Sequence, residues 1–131
     1  MKNAVLFLIL TACIVLSADD VFAQAKQRVR FAAGTSVATV KGTVRSYAYK
    51  DHIVKASAGQ IIDVKLTSAN KFSVLTIFRP NGDNLDGAAE TDQFTGELPT
   101  NGDYVIRIAM MRAEARRPRS VSNYTLKISI R

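Results

Sequence analysis

At the C-terminus, Tyr124, Leu126, Ile128 and Ile130 alternate with Thr125, Lys127, Ser129 and Arg131. A period of two places every apolar side chain on one face of an extended strand, and it produces no stripe on a helix. Tyr104, Ile106, Ile108 and Met110 repeat the pattern against Asp103, Val105, Arg107 and Ala109, and Ile62, Val64 and Leu66 repeat it against Asp63, Lys65 and Thr67. Further strands are expected over 27–33, 37–46, 47–56, 72–78 and 93–98, about eight in all. Turn chemistry separates them: Ala33-Gly34, Ala58-Gly59, Ser68-Ala69-Asn70, Pro80-Asn81-Gly82-Asp83 and Pro99-Thr100-Asn101-Gly102, rich in the residues that accept tight or left-handed backbone. No stretch sustains a 3.6-residue apolar stripe, so helix is expected only as a turn near 111–116. Strands that are apolar on one face bury it by packing two sheets face to face. The expected fold is therefore all-β, a small antiparallel β-sandwich of about eight strands, with a small closed barrel as its rival.

The N-terminus reads as an export signal. Met1-Lys2-Asn3 supplies a cation, Ala4 to Leu16 is almost unbroken apolar sequence, and Val21-Phe22-Ala23 ends it with small residues at the cleavage positions. The apolar run of about thirteen residues is shorter than the roughly twenty a membrane-spanning helix needs, which disfavours a transmembrane anchor. Residues 1–23 are expected to be a cleavable leader and 24–131 a single domain, with cleavage after Ala25 fitting nearly as well. Leu10-Thr11-Ala12-Cys13 also fits an acylation box, but the apolar run continues past Cys13, which favours a cysteine discarded with the leader. The remaining domain then has no cysteine and must fold in an oxidising compartment without disulfides.

The chain carries a formal charge of +7, and a leader containing Lys2, Asp19 and Asp20 leaves the domain more basic still. Such a charge favours anionic partners without choosing among them. A nucleic-acid role is disfavoured by the export signal and the lack of a binding motif. His52, the only histidine, sits beside Asp51 in an expected strand with no nucleophile elbow nearby, poor ground for a catalytic triad. Asn81, Asp83, Asn84 and Asp86 crowd one loop, but not in the order of a calcium-binding EF-hand loop, and they read as a self-capping turn. Two features remain. One is the turn from Leu98 to Tyr104; the other is the connection from Met111 to Ser120, which carries Arg112, Arg116, Arg117 and Arg119. A strand of about eight residues, roughly 26 Å long, would normally hold them at its opposite ends.

Gln60 to Leu66 following Ala58-Gly59, Leu98-Pro99-Thr100-Asn101-Gly102-Asp103-Tyr104, Met111-Arg112-Ala113-Glu114-Ala115-Arg116-Arg117 and Asn123 to Ile130 together resemble the periplasmic inhibitors of g-type lysozyme, which are related to the i-type lysozyme inhibitors. The resemblance spans the domain after the leader and implies a compact antiparallel β-sandwich. It also implies that a Ser-Gly-x-Tyr turn enters the lysozyme's substrate cleft, matched here by Asn101, Gly102, Asp103 and Tyr104 with asparagine in the serine position. Lysozymes cleave glycan with a carboxylic acid of raised pKa, and an inserted turn would have to satisfy that group. Asn101 offers both a donor and an acceptor, Gly102 allows close backbone approach, and Tyr104 offers an apolar ring with a polar tip if it faces outward. Arg112, Arg116 and Arg117 are the implied secondary contacts to cleft carboxylates.

The resulting expectation is a non-enzymatic periplasmic or secreted inhibitor that blocks a lysozyme, g-type foremost, and needs no cofactor. The alternative is an envelope-binding module that holds anionic glycan or lipopolysaccharide on its basic surface. A weaker third reading is a structural or chaperone-like component that uses exposed strand edges, which also admits pairing of two copies.

Overall fold

A computed structural model describes residues 25–131. Residues 1–23, expected to be a cleavable leader, and Cys13 with them, lie outside the described residues. The elements are β1 (Ala25–Arg28), β2 (Val37–Arg45), β3 (Lys50–Ala56), β4 (Ile61–Ser68), β5 (Ser73–Phe78), β6 (Gln93–Glu97), β7 (Gly102–Met110), α1 (Arg112–Ala115) and β8 (Val121–Ile130). They form two four-stranded sheets with strand orders β1-β3-β7-β5 and β2-β8-β4-β6. This is the all-β sandwich expected from the hydrophobic period.

The alternation decides which face is buried. On β8, Ser122, Tyr124, Leu126, Ile128 and Ile130 point inward, and on β7 Tyr104, Ile106, Ile108 and Met110 do. With Ile62, Val64, Leu75, Ile77 and Val54 they close a core from which solvent is excluded. Each such aliphatic side chain contributes about 1.5 to 3 kcal/mol by leaving water.

Three details depart from the sequence reading. Strand β1 pairs parallel with β3, because β2, between them in sequence, belongs to the other sheet and the chain returns without a hairpin. β1 also ends earlier than expected: Val29 N–H still reaches Ile53 O at 2.9 Å, and then Thr35 N–H closes a turn on Ala32 O. Residues 46–49, expected to close one strand at 46 and open the next at 47, form a turn instead, with Ser46 left-handed at φ 51 and Ala48 N–H bonded to Arg45 O.

The two outer faces differ. The β2-β8-β4-β6 sheet turns Thr39, Lys41, Thr43, Asp63, Lys65, Thr67, Asn123 and Lys127 outward, an ordinary solvated surface. The outer face of the other sheet carries half-buried Ile53, Val105 and Phe78 in one register row.

Candidate functional site

Strand β7 connects the two features singled out in the sequence, and its nine residues hold them roughly 30 Å apart at opposite ends of the sandwich. The structure therefore keeps Asn101, Gly102, Asp103 and Tyr104 together at one end and Arg112, Arg116 and Arg117 together at the other.

At the first end, the chain leaves β6 through the sealed side chain of Leu98 and turns at Pro99-Thr100-Asn101. Tyr104 is fully buried. Its hydroxyl donates to Thr100 O at 2.7 Å and accepts from Thr100 N–H at 3.1 Å. This is a tyrosine corner, in which a ring anchored in the core holds the turn before its strand. The condition attached to a contact role for Tyr104, a ring that faces outward, is not met, because the ring belongs to the inward set of β7. The neighbouring groups are engaged as well. Asn101 Oδ1 accepts from Ala58 N–H at 2.7 Å. Asp103 forms a two-pronged pair with Arg28 at 3.0 and 2.9 Å, and that guanidinium holds the Asp103 carboxyl below the usual carboxylate range. Gly102 is left-handed at φ +136, and a Cβ there would lie 2.9 Å from Pro80, so the position is closed to any side chain.

At the second end, three connections fuse. Met111 N–H bonds Phe72 O at 2.9 Å, tying the β4–β5 turn to α1. Ser46 N–H reaches Ser120 O and Ser46 Oγ reaches Ala115 O, both at 3.1 Å, tying in the β2–β3 turn. Beneath them Asn70 Nδ2 donates to Glu114 Oε1 and Val121 O, and Ala115 plugs the helix into the core. The backbone is fixed, while Met111, Arg112, Arg116, Arg117 and Arg119 on it are exposed. Arg112 and Arg116, four residues apart, share one face of the turn, and neither enters an ion pair among the described residues. Arg117 makes an exposed contact with Glu114 at 3.3 Å.

This end also gathers exposed apolar area. Tyr47 is 62% exposed, Met111 43% and Phe72 37%. Sequence reading missed Tyr47, since it was absorbed into an expected strand. The signal for it was the loss of alternation across Ser46-Tyr47-Ala48-Tyr49, where no glycine or asparagine marked the turn.

The remaining candidates are structural. His52 is fully buried, with Nε2 2.7 Å from the Tyr124 hydroxyl across the two sheets. Burial and then nearby Lys50 push its pKa down to about 4, with Asp51 opposing them, and burial raises that of Tyr124. In the loop after β5, Asn81 Oδ1 accepts from Asp83 N–H at 3.0 Å, as a self-capping turn does.

A rigid sandwich that gathers tyrosine, methionine and arginine side chains at one end has the make-up of a protein-recognition surface, where these residue types are enriched. No family model and no curated protein sequence matches the chain. Solved structures do. An Aeromonas hydrophila periplasmic inhibitor of g-type lysozyme is 31% identical over 82% of this chain and 96% of its own, with a TM-score of 0.71. Its Salmonella Typhimurium counterpart is 27% identical over 82% and 98%, TM-score 0.67. A mutant of the Escherichia coli inhibitor is 28% identical over 83% and 100%, TM-score 0.68. The chain belongs to the family of periplasmic inhibitors of g-type lysozyme.

Proposed function

We infer that this protein is a periplasmic inhibitor of g-type lysozyme, acting by occlusion and not by catalysis, and that its arginine-bearing end is the surface that engages the enzyme. The family relationship supports the activity. The observation that favours this end is the joint exposure of Tyr47, Met111 and Phe72 together with Arg112 and Arg116, which enter no ion pair among the described residues. A glycosidase cleft is a groove lined by carboxylates. Guanidinium groups projecting from a fixed backbone form charge-assisted hydrogen bonds with such groups, and the Tyr47 ring supplies apolar area for the groove wall. The opposite turn, Asn101 to Asp103, has its acceptors engaged within the molecule and acts as the brace that holds β7 in place.

The test is inhibition of muramidase activity by the purified domain, with g-type enzyme set beside c-type and i-type enzymes. Loss of g-type activity at sub-micromolar inhibitor supports the reading, and undiminished lysis of g-type substrate overturns it. Arg116→Glu separates the ends: it should abolish inhibition while leaving thermal unfolding unchanged.

A further inference from the structure

The outer face of the β1-β3-β7-β5 sheet holds a groove of about 370 Å³, within the size range of small-molecule sites. It lies at the braced end, away from the arginine-bearing turn. Its floor is the half-buried row Ile53, Val105 and Phe78, and apolar side chains in a row on an outer sheet face are not what a solvated surface selects.

One wall is a clamped arginine. Arg107 donates Nε to Asp51 Oδ1 at 2.8 Å and Nη2 to Asp51 Oδ2 at 3.1 Å, and Asp51 is only 2% exposed. The plane of the guanidinium is fixed by two rings, with Tyr49 3.8 Å and Phe78 4.9 Å from it. Those two bonds leave Nη1 outside the pair with Asp51. Arg79 also lines the groove and is only half-buried. Its guanidinium adds a second charge that can meet an anion held there. Lys26 adds a third cation, and like Arg79 it enters no ion pair among the described residues. Of the two carboxylates present, Asp51 is held by Arg107 and Asp103 by Arg28, which leaves the groove cationic.

We propose that this groove binds a carboxylated saccharide, with the carboxylate between Arg79 and Arg107 and the sugar ring over Ile53 and Val105. An apolar floor suits the C–H face of a pyranose, and polar rims at both sides suit its hydroxyls. A peptidoglycan fragment bearing a muramic lactyl carboxylate has this chemistry. That choice of source rests on the periplasmic reading above, whereas the groove and its charge do not. The inhibitor would thereby rest on the polymer its target degrades, with the enzyme-binding end free.

The experiment is a titration of the isotope-labelled domain, followed by amide shifts of Ile53, Arg79 and Val105, using N-acetylmuramic acid, N-acetylglucosamine and acetate as separate probes. Saturable shifts in the millimolar range with N-acetylmuramic acid, at least about tenfold weaker with the other two, support the site. Arg79→Gln should weaken N-acetylmuramic acid binding by about tenfold with unfolding temperature and lysozyme inhibition unchanged. Equal responses to N-acetylmuramic acid and N-acetylglucosamine, acetate binding as well as the sugar acid, or no saturable shift would each overturn the proposal. No lysozyme is present in the titration, so failure here leaves the inhibitor reading intact, and failure of inhibition leaves the groove intact.

Discussion

The two ends of β7 invert what their residues suggest in isolation. The Asn101-Gly102-Asp103-Tyr104 turn has the composition of a projecting wedge, yet its ring is sealed in the core and its carboxylate and amide oxygen are bonded within the molecule. The Met111 to Ser120 connection has the composition of a solvated linker, yet its backbone is tied to two neighbouring turns, while Arg112 and Arg116 stay exposed and outside any ion pair among the described residues. Recognition needs rigid backbone and unengaged side chains together. Only the second end offers both.

The largest effect that separates them is on stability. Tyr104→Ala should destabilise the domain by about 3 to 5 kcal/mol, through a core void and an unanchored turn, whereas Tyr47→Ala should stay within about 0.5 kcal/mol. Chemical denaturation of both variants measures this, and equal losses would erase the distinction between brace and recognition surface.

Acid acts on the core that joins the two ends. His52 is neutral in the fold because burial lowers its pKa from 6.5 to about 4, so the unfolded chain binds the proton more readily. The stability from this group is complete above pH 6.5 and is lost as pH falls toward about 4, on the order of 3 kcal/mol in all. His52→Gln should flatten that slope in a pH series of unfolding curves. An unchanged slope would assign the pH dependence to other groups.

In inhibition, Arg112→Ala with Arg116→Ala should raise the inhibition constant for g-type lysozyme by about a hundredfold, the loss of two charge-assisted contacts. Tyr47→Ala alone should cost about tenfold or more. The smallest effect is expected from Asp103→Asn, which weakens an exposed, solvent-screened pair with Arg28 and should leave inhibition nearly unaltered. A larger loss of inhibition at Asp103 than at Arg116 would reverse the assignment of the ends.

Much of this was written in the period of two. The alternation that located β7 also placed Tyr104 in the same inward set as Ile106 and Ile108, so the burial of its ring was legible before any comparison with a family turn. The helical turn Arg112–Ala115 falls within 111–116, the one stretch where the hydrophobic pattern left room for helix. The parallel pairing of β1 was not legible, because four residues carry no record of which sheet will take them. Nor was Tyr47, whose turn depends on a left-handed serine held by Ser120 O and Ala115 O, more than sixty-five residues away in sequence.

The central claim is that enzyme contact lies at the arginine-bearing end, and backbone hydrogen exchange of the domain with and without g-type lysozyme tests it most directly. Slowed exchange confined to residues 45–49 and 111–120 is the predicted footprint. Slowed exchange at 98–103 with residues 111–120 unchanged would contradict it.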